Sequence, residues 1–177
     1  GDESVEVLNG GIGNYNTVRY VERFLTNLTH LNPDVIVVQY FINDAEVLTF
    51  TDGNWALKNS QLAVTLWTAY NRFFRATGED ALSNHYDSVY KPDAKGFRDM
   101  KVALKQLADY AGDKNIKVLI AMTPDFHNLK GYPFDFIHQK ISQISNDFGF
   151  EYVDLLPAFD GLNAMTLWSM PGDPHPN

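Results

Sequence analysis

Three runs of residues constrain this chain more than anything else in it. Asp34–Phe41 (DVIVVQYF), Lys117–Met122 (KVLIAM) and Glu151–Leu155 (EYVDL) are short and rich in β-branched residues. The first is nearly continuous in apolar character, as a strand covered on both faces should be, and the other two repeat the pattern. A fourth candidate, Val5–Asn9, is shorter and runs into a glycine cluster. Amphipathic helices lie between these strands. Val18, Val21, Leu25, Leu28 and Leu31 recur at helical spacing, with Asn16 or Thr17 available as N-cap and Asn32-Pro33 as the stop. Phe97, Met100, Leu104, Leu107 and Ala111 give a second helix. Ile137, Ile141, Ile144 and Phe148 give a third, which Gly149 ends. The order β-α-β, insertion, α-β-α-β predicts a parallel sheet with right-handed crossovers in a three-layer α/β/α sandwich.

The chain is long enough for one domain, residues 1–177, and no linker, repeat or low-complexity segment divides it. An insertion at about 45–96 interrupts the alternation and carries Trp55, Trp67, Tyr70, Phe73, Phe74, Tyr86 and Tyr90. Within it Ser60–Phe74 reads as a helix, and the rest as loop above the strand ends. With 14 basic against 22 acidic side chains the net charge is −8, so no cationic patch is available to neutralise phosphates and nucleic acid is not expected as a partner. No apolar stretch approaches the roughly 20 residues of a membrane span, and no signal peptide is visible. The chain has no cysteine, which excludes disulfides, a thiol nucleophile and thiolate metal sites. No histidine pair stands at ligand spacing, so neither a metal nor another cofactor is expected. None of this fixes the compartment.

Ligands of open parallel sheets bind at the carboxyl ends of the strands, and three segments fall there. The first is Asn9-Gly10-Gly11-Ile12-Gly13-Asn14-Tyr15-Asn16-Thr17. A glycine-rich turn entering a helix exposes backbone N–H groups, which suits an oxyanion, although glycines also serve plain tight turns. It matches neither G-x-G-x-x-G nor the phosphate-loop pattern. The second is Phe41-Ile42-Asn43-Asp44, where a side-chain amide can donate to developing negative charge or simply cap a turn. The third is Pro171-Gly172-Asp173-Pro174-His175-Pro176-Asn177. Two prolines make it a rigid loop able to hold an imidazole as general base beside a carboxylate, although chain ends are commonly mobile.

These segments, in this order, resemble the SGNH/GDSL hydrolase family of esterases and acetylhydrolases. VEVLNGGIGNYNT is similar to its glycine block, VIVVQYFIND to its G-x-N-D block and GDPHPN to its Asp-His block. LKQLADYAGDKNIKVLIAMTPD and FGFEYVDLLPAF read like its later helix–strand units, so the resemblance spans essentially the whole chain. It implies the SGNH fold, with a flavodoxin-like parallel sheet, and hydrolysis of an acyl or acetyl ester through an acyl-enzyme. His175 would be the general base, Asp173 would orient its ring, and Asn43 would donate to the oxyanion from its side chain. Asn14 would donate from its backbone, where the family usually has glycine. Phe41-Ile42 replaces the family's glycine before the Asn-Asp pair. The D-x-H spacing of Asp173 and His175 is similar to that of the alginate O-acetyltransferase branch, which adds acyl transfer to a carbohydrate hydroxyl. The partner implied is a small-molecule or carbohydrate ester.

The family's nucleophile is a serine in Gly-Asp-Ser after a strand. Gly1-Asp2-Glu3-Ser4 has no strand before it and reads as the loop feeding Val5. Ser60, Ser83, Ser88, Ser142, Ser145 and Ser169 lack the motif. Compared with the family, both the first, central strand and the last helix fall outside the chain, so the expectation is a segment of a longer SGNH protein, inactive without its serine. His30, His85, His127 and His138 are expected at the surface or in caps, and among them only His127 is placed to line a site. Two other classes remain open on the residues alone. One is a non-catalytic carbohydrate-binding relic that grips sugar with the aromatic insertion. The other is a flavodoxin-like nucleotide or flavin binder.

Overall fold

Hydrogen bonding between β-branched segments builds a three-stranded parallel sheet from β1 (Val35–Tyr40), β2 (Lys117–Met122) and β3 (Glu151–Asp154), in the order β1-β2-β3. The computed structural model describes residues 5–47, 79–170 and 173–176. In register, Tyr40 lies opposite Met122, and Met122 opposite Asp154, so the three strands end on one level. A separate antiparallel pair joins β4 (Trp168–Met170) to β5 (Asp173–Pro176).

Four α-helices are described: α1 (Thr17–Arg23), α2 (Glu79–Val89), α3 (Lys95–Lys114) and α4 (Asp135–Phe148). Asn16 caps α1, its side-chain oxygen accepting from Arg19 N–H at 3.2 Å. The helical path continues beyond α1 but widens to a π turn over Phe24–Leu28 and tightens to a 3₁₀ turn over Thr29–Leu31. That change rotates the later residues off the apolar stripe, so Val21 is buried while Leu31 is exposed. Helix α3 buries Phe97, Met100, Leu104, Leu107 and Ala111, and α4 buries Ile137, Ile141 and Ile144, as their spacing requires. Asn115 (φ 56°) and Gly149 (φ 74°) end α3 and α4 in the left-handed conformation.

Two expectations are corrected, and the three-layer sandwich is met in part. Residues 5–9 form no strand, and Val5 and Val7 are exposed. An extended segment without a hydrogen-bonded neighbour gains nothing from its β propensity. The sheet is covered on one face only among the described residues. Val38, Tyr40, Val118, Ile120 and Met122 share a core with α1, α3 and α4, whereas the alternate residues Val35 and Val37 are 52% and 60% exposed. The described architecture is therefore an α/β sandwich of helices on one face of a parallel sheet; no third layer is described. Finally, Glu79–Val89 is helix where loop was expected, and Tyr86 and Tyr90 are core residues. The expected helix at Ser60–Phe74 lies outside the described residues.

Helix α3 reaches the sheet through one very close approach. A Cβ on Gly96 would stand 2.1 Å from the carbonyl oxygen of Ala45, so only glycine lets the start of α3 lie against the turn after β1.

Candidate functional site

The carboxyl ends of β1 and β2 open into a cavity of about 290 Å³ lined by Asn14, Tyr15, Gln39, Phe41, Asn43, Asp44 and Thr123. Asn14 and Asn43, from the first two motif segments, thus meet in one cleft. Asn14 has φ 62°, the left-handed conformation that glycine adopts freely and asparagine tolerates. The glycine-to-asparagine difference from the family pattern therefore does not prevent the turn.

A single side chain joins the two segments. Asn16 uses its oxygen to cap α1, and its Nδ2 donates to the carbonyl of Glu46 at 2.8 Å. This amide, buried in the structure, fastens the glycine turn to the chain leaving β1. That chain is itself a 3₁₀ turn, Ile42–Ala45, closed by Asp44 N–H to Phe41 carbonyl and Glu46 N–H to Asn43 carbonyl, both 2.9 Å. The Asp44 carboxylate turns back to accept from Phe41 N–H at 3.0 Å. The turn buries Ile42 and Asp44 and leaves Asn43 exposed toward the cleft. Burial raises the Asp44 carboxyl to about 7, and the Phe41 N–H only partly opposes this.

Beneath the turn, Tyr90 donates to the carbonyl of Ile42 at 2.9 Å, and Tyr40 donates in turn to Tyr90 at 2.8 Å. Burial pushes both phenols well above their ordinary range. They act as neutral hydrogen-bonding supports for the turn.

The loop after β2 is held at several points. Thr123 N–H extends the ladder to the Tyr40 carbonyl at 2.9 Å, and Phe126 is fully buried against Phe159. Asp125 N–H donates to the Tyr132 hydroxyl at 3.1 Å, and that hydroxyl meets His138 Nε2 at 2.8 Å. His138 Nδ1 lies 2.9 Å from Asp154 Oδ1 at the end of β3. A carboxylate only accepts, so this ring nitrogen carries a proton. His138 is thus a buried link between α4, β3 and the loop, not the surface or cap residue expected. His85 is exposed and bonded to Glu46, and His30 is exposed.

Asp173 and His175 lie on β5, a strand where a rigid loop was expected. The restricted φ of proline is compatible with extended backbone in a two-stranded edge pair. Met170 pairs with Asp173 and Trp168 with Pro176. The Trp168 indole N–H donates to the Phe126 carbonyl at 2.8 Å, which fastens this hairpin to the loop after β2. The segment bearing His175 and the cleft bearing Asn14 and Asn43 therefore attach to the same end of the sheet.

Sequence reasoning gave Asn16 only as a helix cap and Asp44 only as a member of the Phe41–Asp44 segment, and it did not single out Thr123 or Trp168. Trp55 and Trp67 lie outside the described residues, and Tyr86 and Tyr90 are buried in the core, away from any sugar. Among the described residues there is no group of three metal-ligating side chains, and no helix long and apolar enough to cross a membrane. Among the described side chains, Ser88 donates to the His85 carbonyl and Ser145 to the Ile141 carbonyl, and no serine hydroxyl is bonded to a histidine ring. No family model, curated protein or solved structure matches the chain.

Proposed function

We propose that this chain carries the oxyanion-binding and general-base parts of a serine-dependent ester hydrolase of the SGNH type. The observation that supports it most is the meeting of Asn14 and Asn43 in one cleft at the carboxyl ends of a parallel sheet. Two amide-bearing residues lining one cleft suit the negative oxygen that develops when an acyl carbonyl is attacked. In this reading Asn14 donates its backbone N–H and Asn43 its side-chain amide. His175 takes the proton of the serine hydroxyl as that oxygen bonds to the acyl carbon. Asp173 orients the ring and stabilises it once charged. The tetrahedral centre collapses to an acyl-enzyme and water releases the acid; in a transferase a sugar hydroxyl takes the place of water. The nucleophilic serine is not assigned to a residue of this chain.

Turnover of p-nitrophenyl acetate by the full-length protein, nucleophilic serine included, and by its His175→Ala variant tests the reading. Loss of hydrolysis in the variant is expected, and equal rates would refute the role of His175. Carbohydrate binding by a protein inert to a fluorophosphonate probe would favour the binding-module alternative.

A further inference from the structure

The glycine turn that leads to Asn14 carries a reactive pair of its own. Asn9-Gly10 is the only Asn-Gly pair in the sequence. Residues 5–14 are exposed, and residues 5–9 form no strand, so water reaches this stretch of backbone. Gly11 N–H donates to Asn9 Oδ1 at 3.0 Å. That bond folds the side chain back along its own main chain and closes a ring of atoms that includes the Gly10 amide nitrogen. Asn9 Nδ2 has no hydrogen-bond partner among the described residues.

Three features favour attack of the Gly10 nitrogen on the Asn9 side-chain carbonyl. The Gly11 N–H stabilises the carbonyl oxygen as it becomes negative, which is the task of an oxyanion donor. Gly10 has no Cβ to crowd its own nitrogen, whereas every other asparagine that has a successor precedes a residue with a side chain. Nucleophile and carbonyl also belong to adjacent residues, so no encounter is needed.

We propose that Asn9 is a self-modification site, at which attack by the Gly10 nitrogen converts asparagine to aspartate and isoaspartate. The Gly10 nitrogen gives its proton to hydroxide and bonds to Asn9 Cγ. The bond from Cγ to Nδ2 breaks, and ammonia leaves with a proton taken from water. Water then opens the five-membered imide at either carbonyl, which returns a proton to the Gly10 nitrogen and leaves a carboxylic acid. Opening at the main-chain carbonyl gives isoaspartate, and opening at Cγ gives aspartate. The balance is one water consumed and one ammonia released. Either product adds a negative charge to the segment that carries Asn14 into the cleft, and isoaspartate also adds one carbon to its main chain. The inference does not depend on the ester-hydrolase reading.

Mass spectrometry of peptides cut from the folded protein after incubation tests it. The peptide containing residue 9 should gain about 1 Da, an amide nitrogen group exchanged for oxygen. It should separate into two products of equal mass, of which an isoaspartyl methyltransferase labels one. The gain should be faster at about pH 8 than at about pH 6, because hydroxide takes the Gly10 proton. Asn9→Gln should lose it, since glutamine would have to close a larger ring. The folded protein should react at least as fast as a synthetic peptide of residues 5–15, because its turn is already formed. A folded protein slower than the peptide refutes the proposal and makes the Gly11 bond protective. A first gain at any other asparagine also refutes it.

Discussion

Replacing Asp44 by asparagine should alter the pH dependence of stability in a calculable way. The folded protein holds this carboxyl near 7 because burial penalises its charge, against 3.8 for the free group. Between those values the folded state keeps a proton that the unfolded chain has released, so stability falls as pH rises through this window and levels off above about 7. A difference of about 3 units at 1.36 kcal/mol each sets a ceiling of about 4 kcal/mol. Asparagine removes the titration, while its side-chain oxygen can still accept from Phe41 N–H. Wild type and Asp44→Asn should therefore have similar stability near pH 4. By pH 7.5 the variant should be the more stable by about 2–4 kcal/mol. Urea titrations of both proteins across this range measure the difference, and contributions from every other carboxylate cancel in the subtraction. A gap between the two proteins that stays constant within about 0.5 kcal/mol from pH 4 to 7.5 would refute the reasoning, because it would mean that Asp44 is hydrated and ionised like a surface residue.

Other substitutions probe the fold and the cleft. Gly96→Ala should cost about 3 kcal/mol in chemical denaturation, since its Cβ meets a backbone carbonyl that a rotamer change cannot move. Val37→Thr should shift stability by no more than about 0.5 kcal/mol, and Ile120→Ala, on the opposite face of the sheet, should cost about 2–5 kcal/mol. A large loss at Val37 would show that the outer face is covered in solution. Asn43→Ala should lower ester turnover by about 10²–10³ without changing the denaturation midpoint, as expected for an exposed oxyanion donor. A matching loss of stability would instead make Asn43 a turn-former.

What could be read from the sequence divides along physical lines. Helices α3 and α4 were legible because apolar side chains repeat at 3–4 residue spacing and because Gly149 ends α4 by a local backbone rule; Asn115, which ends α3 in the same way, was not read from the sequence. The strands were legible in position but not in environment. Val35 and Val37 favour a pleated backbone whether or not anything covers them, so a β-branched run does not report how many faces are buried. Residues 5–9 show the same limit, because a strand exists only with a neighbour to pair. In the cleft, Asn14 and Asn43 could be placed together by topology, since both follow strand-like segments. The Asn16 bridge to Glu46 spans 30 residues and the His138–Asp154 bond joins a helix to a strand end. Neither leaves a pattern in the linear text, so His138 looked like a surface residue.

The shared level at which Tyr40, Met122 and Asp154 finish makes the sheet a ruler for the cleft. Each segment that follows begins its path from the same rung: the Asn43 turn, the loop to His127 and the Asp154 contact with His138. Deleting one residue from β2 would draw its loop back by about 3.3 Å and turn every side chain beyond the deletion to the opposite face. Thr123 and Asp125 would lose their places together, although neither had been touched. The spacing of these strands is thus a constraint on chemistry as much as on folding, and loop exchange at this end should succeed only when strand length is conserved.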